Sequence, residues 1–289
     1  MKKSKNKSEN TALSVVKNVG ETNETGVAVY QPSSEDVFDD ISVFSALFNE
    51  TPEQIKNGIR VFELRRFAGT LGQITVRYEI REKEILRIMK KSLSLGVGEI
   101  LTSPVYLSGY RKVVNKTEMD GQKVCAVIDF PLGESTLKAK VADVKACEKF
   151  GVDGYTVVMP SVFVKNPNEF KKQLKKIKGL TDKNVGVAFS TTELDADDVK
   201  SVFRAAEKVG AEAVTLLFGD QTEQEILSTA KAIKENKGKI EVRILGNVRS
   251  AEAVAAVKKL GADKVFTPYA VDIAEDLLKR FNIKGIKLN

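Results

Sequence analysis

The sequence predicts an eight-stranded α/β barrel preceded by a helical extension. Three observations carry that fold. From about residue 71 one unit recurs, a short apolar strand, a loop, an amphipathic helix and a Gly-containing turn into the next strand. The unit supplies eight candidate strands at spacings of roughly 25 to 30 residues. No Gly-rich phosphate turn follows the first of them, which an open doubly wound sheet usually carries. A chain of 289 residues is long enough for one such barrel and its extension.

In chain order, residues 1–40 mix Ser, Asn, Thr, Glu and Lys around two short apolar pieces, the composition of a solvated tail. Residues 41–70 form the extension. There Thr51 followed by Glu53 and Gln54 starts a helix whose stripe is Ile55, Ile59, Phe62 and Phe67. The barrel occupies 71–289, with strands over Ile74–Arg77, Glu99–Thr102, Val124–Phe130, Tyr155–Met159, Val185–Phe189, Ala213–Phe218, Ile240–Leu245 and Lys264–Thr267. The helices between them show apolar positions at three-to-four spacing. These are Leu137, Val141, Val144 and Cys147, then Val199, Val202, Phe203 and Ala206, then Ile226, Leu227, Ala230 and Ile233, then Ala253, Val254, Val257 and Leu260. Asp195 and Ser250 stand where N-caps belong. Gly96, Gly151, Gly210 and Gly261 stand where left-handed helix ends belong.

Composition narrows the chemistry. Histidine is absent, which removes imidazole metal ligands and His-based triads, so no metal site and no cofactor is expected and acid-base work falls to carboxylates, Lys, Tyr or Cys. Two cysteines make no disulfide framework. Cys125 in a strand and Cys147 on an apolar stripe read as small core residues. The net charge of +7 comes from lysines spread over several helix faces, so nucleic acid is not the expected partner. No apolar run approaches the roughly 20 residues of a membrane helix, and none follows Met1–Lys7 as a signal peptide requires, so a cytoplasmic location is expected.

The string Val-Cys-Ala-Val-Ile-Asp-Phe-Pro-Leu-Gly at 124–133, with Glu-Ser-Thr and a helix carrying Lys140 and Ala146 after it, resembles the third strand and loop of the deoxyribose-phosphate aldolases. The likeness continues through 151–160, 210–219 and 242–253 and covers most of residues 71–280. It implies a class I aldolase barrel that self-associates. In that family a lysine on the sixth strand forms an imine with an aldehyde, a lysine on the seventh lowers the first one's pKa, and an aspartate on the fourth moves protons. The matching positions here are Thr215, Arg243 and Thr156. A threonine forms no imine, and an arginine does not deprotonate in a protein. The family's phosphate-binding turns are matched in part by Gly246-Asn247-Val248-Arg249, whereas Thr267-Pro268-Tyr269 includes a residue with no N–H.

These losses favour a non-catalytic barrel that acts through protein contacts, as a homo-oligomer or with another protein. Leu217, Phe218, Phe163 and Tyr269, together with Val162, Val164 and Tyr106, are the candidate contact residues, because loops at a barrel mouth otherwise face water. Two alternatives stay open. One is an aldolase or lyase acting on deoxyribose 5-phosphate, a related sugar phosphate or an aldehyde, with the amine relocated to Lys165, Lys112 or Lys116. The other is a module that holds a small phosphorylated metabolite through Arg243, Asn247, Gly246, Asp129 and Asp220. Arg243 can equally pair with a carboxylate inside the barrel.

Overall fold

The computed structural model describes residues 51, 64–76, 81–114, 121–192, 194–219, 229, 231–235 and 238–280. Eight strands close in sequence order into one barrel: β1 (Leu71–Ile74), β2 (Glu99–Thr102), β3 (Lys123–Ile128), β4 (Gly154–Val158), β5 (Asn184–Ser190), β6 (Ala213–Leu217), β7 (Glu241–Leu245) and β8 (Lys264–Thr267). Every neighbouring pair is parallel, including β8 with β1. The described helices are α1 (Leu64–Thr70), α2 (Glu82–Ser94), α3 (Leu107–Val113), α4 (Leu137–Glu148), α5 (Ser161–Val164), α6 (Pro167–Lys178), α7 (Ala196–Val209), α8 (Ala251–Lys259) and α9 (Ala270–Arg280). This is the (β/α)8 architecture, with the carboxyl ends of its strands forming the mouth.

Two apolar layers hold it. The larger lies between strands and helices and takes in Ile85, Val144, Phe170, Phe203, Val254 and Leu277. The smaller fills the barrel with Ile74, Leu101, Val127, Val158, Ala188, Leu217, Leu245 and Phe266. The anticipated stripes of α7 and α8 are buried throughout. Asp195 caps α7 in a capping box with Asp198, and Ser250 accepts from Ala253 N–H at the start of α8. Gly210 ends α7 at φ 73°, its N–H on the carbonyls of the last turn.

The structure departs from the sequence pattern in two places. β1 starts at Leu71 rather than Ile74, because its inward residue Gly72 has no side chain to signal a strand. The Phe266 ring fills that space, and a Cβ on Gly72 would stand 2.0 Å from it. In α4 the buried stripe is Lys140, Val144 and Cys147, while Leu137 and Val141 are only half-buried. Phe67 is in the core as anticipated, whereas the expected tail and Ile55, Ile59, Phe62, Ile226, Leu227 and Ala230 lie outside the described residues.

Candidate functional site

Strand register brings the three key positions into the barrel. Thr156 on β4 is level with Val127 on β3 and Gly186 on β5; Thr215 on β6 is level with Ala188 on β5 and Arg243 on β7. Val127 and Ala188 belong to the inner core, so Thr156, Thr215 and Arg243 face inward with them. Both threonines are buried, and neither hydroxyl oxygen has a hydrogen-bond partner among the described residues. A hydroxyl with no base beside it is not an activated nucleophile. An isosteric Thr215→Val removes an unsatisfied buried polar atom, and a gain of about 1 kcal/mol is expected in urea unfolding. A loss instead would show that the hydroxyl holds a water or ligand.

Arg243 turns towards the amino ends of the strands. Its Nη1 lies 2.9 Å from Glu99 Oε1, its Nε 2.5 Å from Glu241 Oε1, and its guanidinium 5.5 Å from the Phe266 ring centroid. Lys264 Nζ completes the cluster, 2.9 Å from Glu99 Oε2 and 3.4 Å from Glu241 Oε1. Two cations therefore face two carboxylates, and Glu99 is fully buried. Burial pushes the Glu99 carboxyl up, but Arg243 and Lys264 outweigh it and hold the pKa below the ordinary glutamate value. For Arg243, burial acts downward and is overcome by Glu99 and Glu241, so the guanidinium stays charged. The cluster is a polar plug, and Arg243 does not meet Asp129 or Asn247 across the mouth. Cys125, beside Glu99, has its thiol pushed well up by burial and by that carboxylate, so it is no thiolate.

At the mouth, Asp129 sits at φ 63° and accepts from Ser135 N–H at 2.8 Å and from the Ser135 hydroxyl at 2.5 Å. Beneath that loop lies Lys140, which the sequence pattern did not single out as a buried group. Its side chain is fully buried, and Nζ donates to Gly133 O at 2.6 Å and Val158 O at 2.8 Å and pairs with Asp129 Oδ2 at 3.2 Å. Burial lowers its pKa, opposed by Asp129. Three donors meet three acceptors, so the amine is a clamp on the loops after β3 and β4 rather than a free nucleophile. Its position in register with Val144 and Cys147 was the available signal.

The expected apolar mouth is largely folded away. Leu217, Phe218 and Val164 are buried, and Phe163, Tyr106 and Tyr269 pack half-buried on the strand–helix core, because these loops turn their apolar side chains back under the rim. Val162 alone of the expected residues is highly exposed, joined by Val105 and Leu132. Gly246 is buried, its N–H on Phe266 O at 3.0 Å, and Asn247 is half-buried. Lys165 and Lys112 are exposed, whereas Asp220 and Lys116 lie outside the described residues. Among the described residues no cluster could hold a metal ion, and no helix is long and apolar enough to cross a membrane.

No protein-family model matches the chain. It is 28% identical over 214 residues to a deoxyribose-phosphate aldolase of Aquifex aeolicus, covering 73% of this chain and 95% of that one. A deoxyribose-phosphate aldolase of Mycoplasmoides gallisepticum is 26% identical over 68% of this chain and 87% of its own. Among solved structures, the deoxyribose phosphate aldolase of Aeropyrum pernix, described as tetrameric, superposes with a TM-score of 0.64 at 21% identity, over 77% of this chain and 96% of that one. An aldolase designated QR15 gives 0.66 at 24%, over 78% and 100%. These similarities overturn the expectation of a non-catalytic barrel acting through protein contacts, since the relatives matched nearly end to end are named as aldolases. The burial of Leu217 and Phe218 removes much of that expectation's physical basis. The closed eight-stranded barrel and these relatives, matched over most of their own length, make the chain similar to the deoxyribose-phosphate aldolases.

Proposed function

We propose that the protein is an aldolase or lyase that cleaves or forms a carbon–carbon bond next to an aldehyde, with its imine on a lysine outside β4, β6 and β7. The observation that carries this reading is the match to an aldolase over 95% of that enzyme's length. The amine's lone pair adds to the aldehyde carbon and water leaves. The resulting iminium takes up the electron pair of the breaking Cα–Cβ bond while the β-hydroxyl gives its proton to water and departs as the second aldehyde; the enamine regains a proton at Cα, and water then releases the product and regenerates the amine. Lys165, at the end of the short helix after β4, is a described lysine at the mouth, whereas Lys112 lies in the last turn of α3, beside Arg111, which reaches the turn before β4. In this reading the enzyme works in the cytoplasm as a homo-oligomer, with its chemistry in the barrel.

The test is acetaldehyde release from deoxyribose 5-phosphate and from deoxyribose. Release above a heat-inactivated control, falling at least about tenfold in Lys165→Met, is the expected result, a loss typical of removing a chemical group. No release from either sugar removes the reading. Release unchanged in that variant moves the amine to another lysine.

A further inference from the structure

We infer that residues 21–50 of this chain dock on a basic face that its own barrel presents at the amino ends of the strands. The face follows from the fold. Helices of a (β/α)8 barrel run antiparallel to their strands, so their last turns gather at one end. Each last turn favours a cation, because the helix macrodipole ends there in partial negative charge. On α2 and α8 such cations are spent within the barrel, Lys91 on Glu275 at 2.8 Å and Lys258 on Asp263 O at 3.0 Å. Along α3, α4, α6 and α7 they are not. Lys112, Lys145, Lys149, Lys175, Lys176 and Lys208 stand in or just after the last turns of those helices, all six are exposed, and none forms an ion pair with a described residue. These helix ends adjoin. Arg111 Nη1 donates to Lys149 O at 3.5 Å, joining α3 to α4; α4 packs against α6; and Lys178 Nζ donates to Gly210 O, joining α6 to α7. The carboxylates on this arc are fewer. Glu148 accepts from the Tyr155 hydroxyl at 2.9 Å, Glu207 accepts from Lys239 N–H at 3.5 Å, and Asp182 is exposed.

Residues 21–50, which lie outside the described residues, supply the complement. They hold seven carboxylates, four of them in the run Glu35, Asp36, Asp39 and Asp40, and no Lys or Arg. Their charge of −7 within a net +7 leaves +14 on the rest of the chain. They also arrive at the right end of the barrel. α1 leads directly into the amino end of β1, and its Ala68 O accepts from Gly98 N–H at 3.2 Å in the turn before β2. The connecting residues 51–63 reach up to about 45 Å when extended. Exposed ion pairs are individually weak. Tethering compensates, since it holds the segment near the lysines at an effective concentration on the order of millimolar.

Two measurements on the full chain test the docking. In the first, a carbodiimide joins carboxylates to amines without a spacer, and the monomer band of a denaturing gel is peptide-mapped. Crosslinks from the run at 35–40 to Lys145, Lys149, Lys175, Lys176 or Lys208 are expected, falling at least about fivefold at about 0.5 M NaCl, where the Debye length is roughly 4 Å. Crosslinks spread evenly over the lysines of α2, α8 and α9 as well describe a solvated tail and overturn the inference. Crosslinks found only in the dimer band seat the segment on a second copy and overturn it too. In the second, heparin binding is compared between the wild type and a chain carrying Glu35→Gln, Asp36→Asn, Asp39→Asn and Asp40→Asn. A Kd at least about tenfold tighter is expected in the variant, because the segment no longer competes for the lysines. An unchanged Kd overturns the docking. Adding Lys175→Glu and Lys176→Glu, both at exposed positions, should abolish the gain. A gain that survives them is an effect of net charge and counts against the inference.

Discussion

Replacing Glu99 with Gln is expected to cost about 3–5 kcal/mol of stability, the range seen when one partner of a buried ion pair is removed. Glu99 is the hinge of the four-charge plug, since one carboxylate oxygen faces Arg243 and the other Lys264, and its side chain has no solvent exposure. Gln can accept a hydrogen bond but leaves two cations opposite Glu241 alone. The surface pair of Arg87 and Glu84 supplies the control: both side chains are more than half exposed, so Glu84→Gln is expected to change stability by less than about 0.5 kcal/mol. Urea unfolding at neutral pH reads both.

A pH series adds a sign. The folded-state pKa of Glu99 lies below the ordinary value, so its contribution is complete above the usual glutamate range and is lost as pH falls through the folded value. The wild type should therefore lose stability in acid along a segment that Glu99→Gln lacks. Equal acid slopes in the two proteins, or a cost under about 0.5 kcal/mol at neutral pH, would contradict the plug.

The second large effect is expected at Lys140. Lys140→Met keeps most of the side-chain volume and removes the charge, leaving Gly133 O, Val158 O and the Asp129 carboxylate without their shared donor. A loss of about 3 kcal/mol is expected, less than the upper range for buried pairs because Asp129 is partly open to water. The loss should be local in its dynamics. Amide exchange of Gly133, which donates to Asp129 O, and of Ser135, which donates to the Asp129 carboxylate, should accelerate more than exchange within β6. Uniform acceleration across the barrel would assign Lys140 to general core stability instead.

The fold was legible because its signals are local and repeat. Apolar stripes at helical spacing, caps at Asp195 and Ser250 and glycines at positive φ each describe one βα unit, and eight such units close in order. The motif at 124–133 located Asp129 and the β3 loop in the same way. What escaped was set by closure. Glu99 and Lys264 open their strands, where a charged residue looks like a solvated end, and only the closed barrel joins Glu99 to Arg243 across 144 positions and to Lys264 across 165. The burial of Lys140 was not read because a burial stripe is read by apolarity, and its three acceptors come from chain segments on either side of it. Leu217 and Phe218 looked like mouth residues because a place at the carboxyl end of a strand does not say whether the side chain faces water or the core.

Chemistry without the strand lysines is the central claim, and reductive trapping tests it most directly. The protein is incubated with acetaldehyde or deoxyribose and borohydride, and the product is read by intact mass and peptide mapping. The expected result is one stoichiometric adduct on a lysine outside β4, β6 and β7, with Thr156, Thr215 and Arg243 unmodified. No adduct under conditions that label an active imine-forming aldolase would contradict the account.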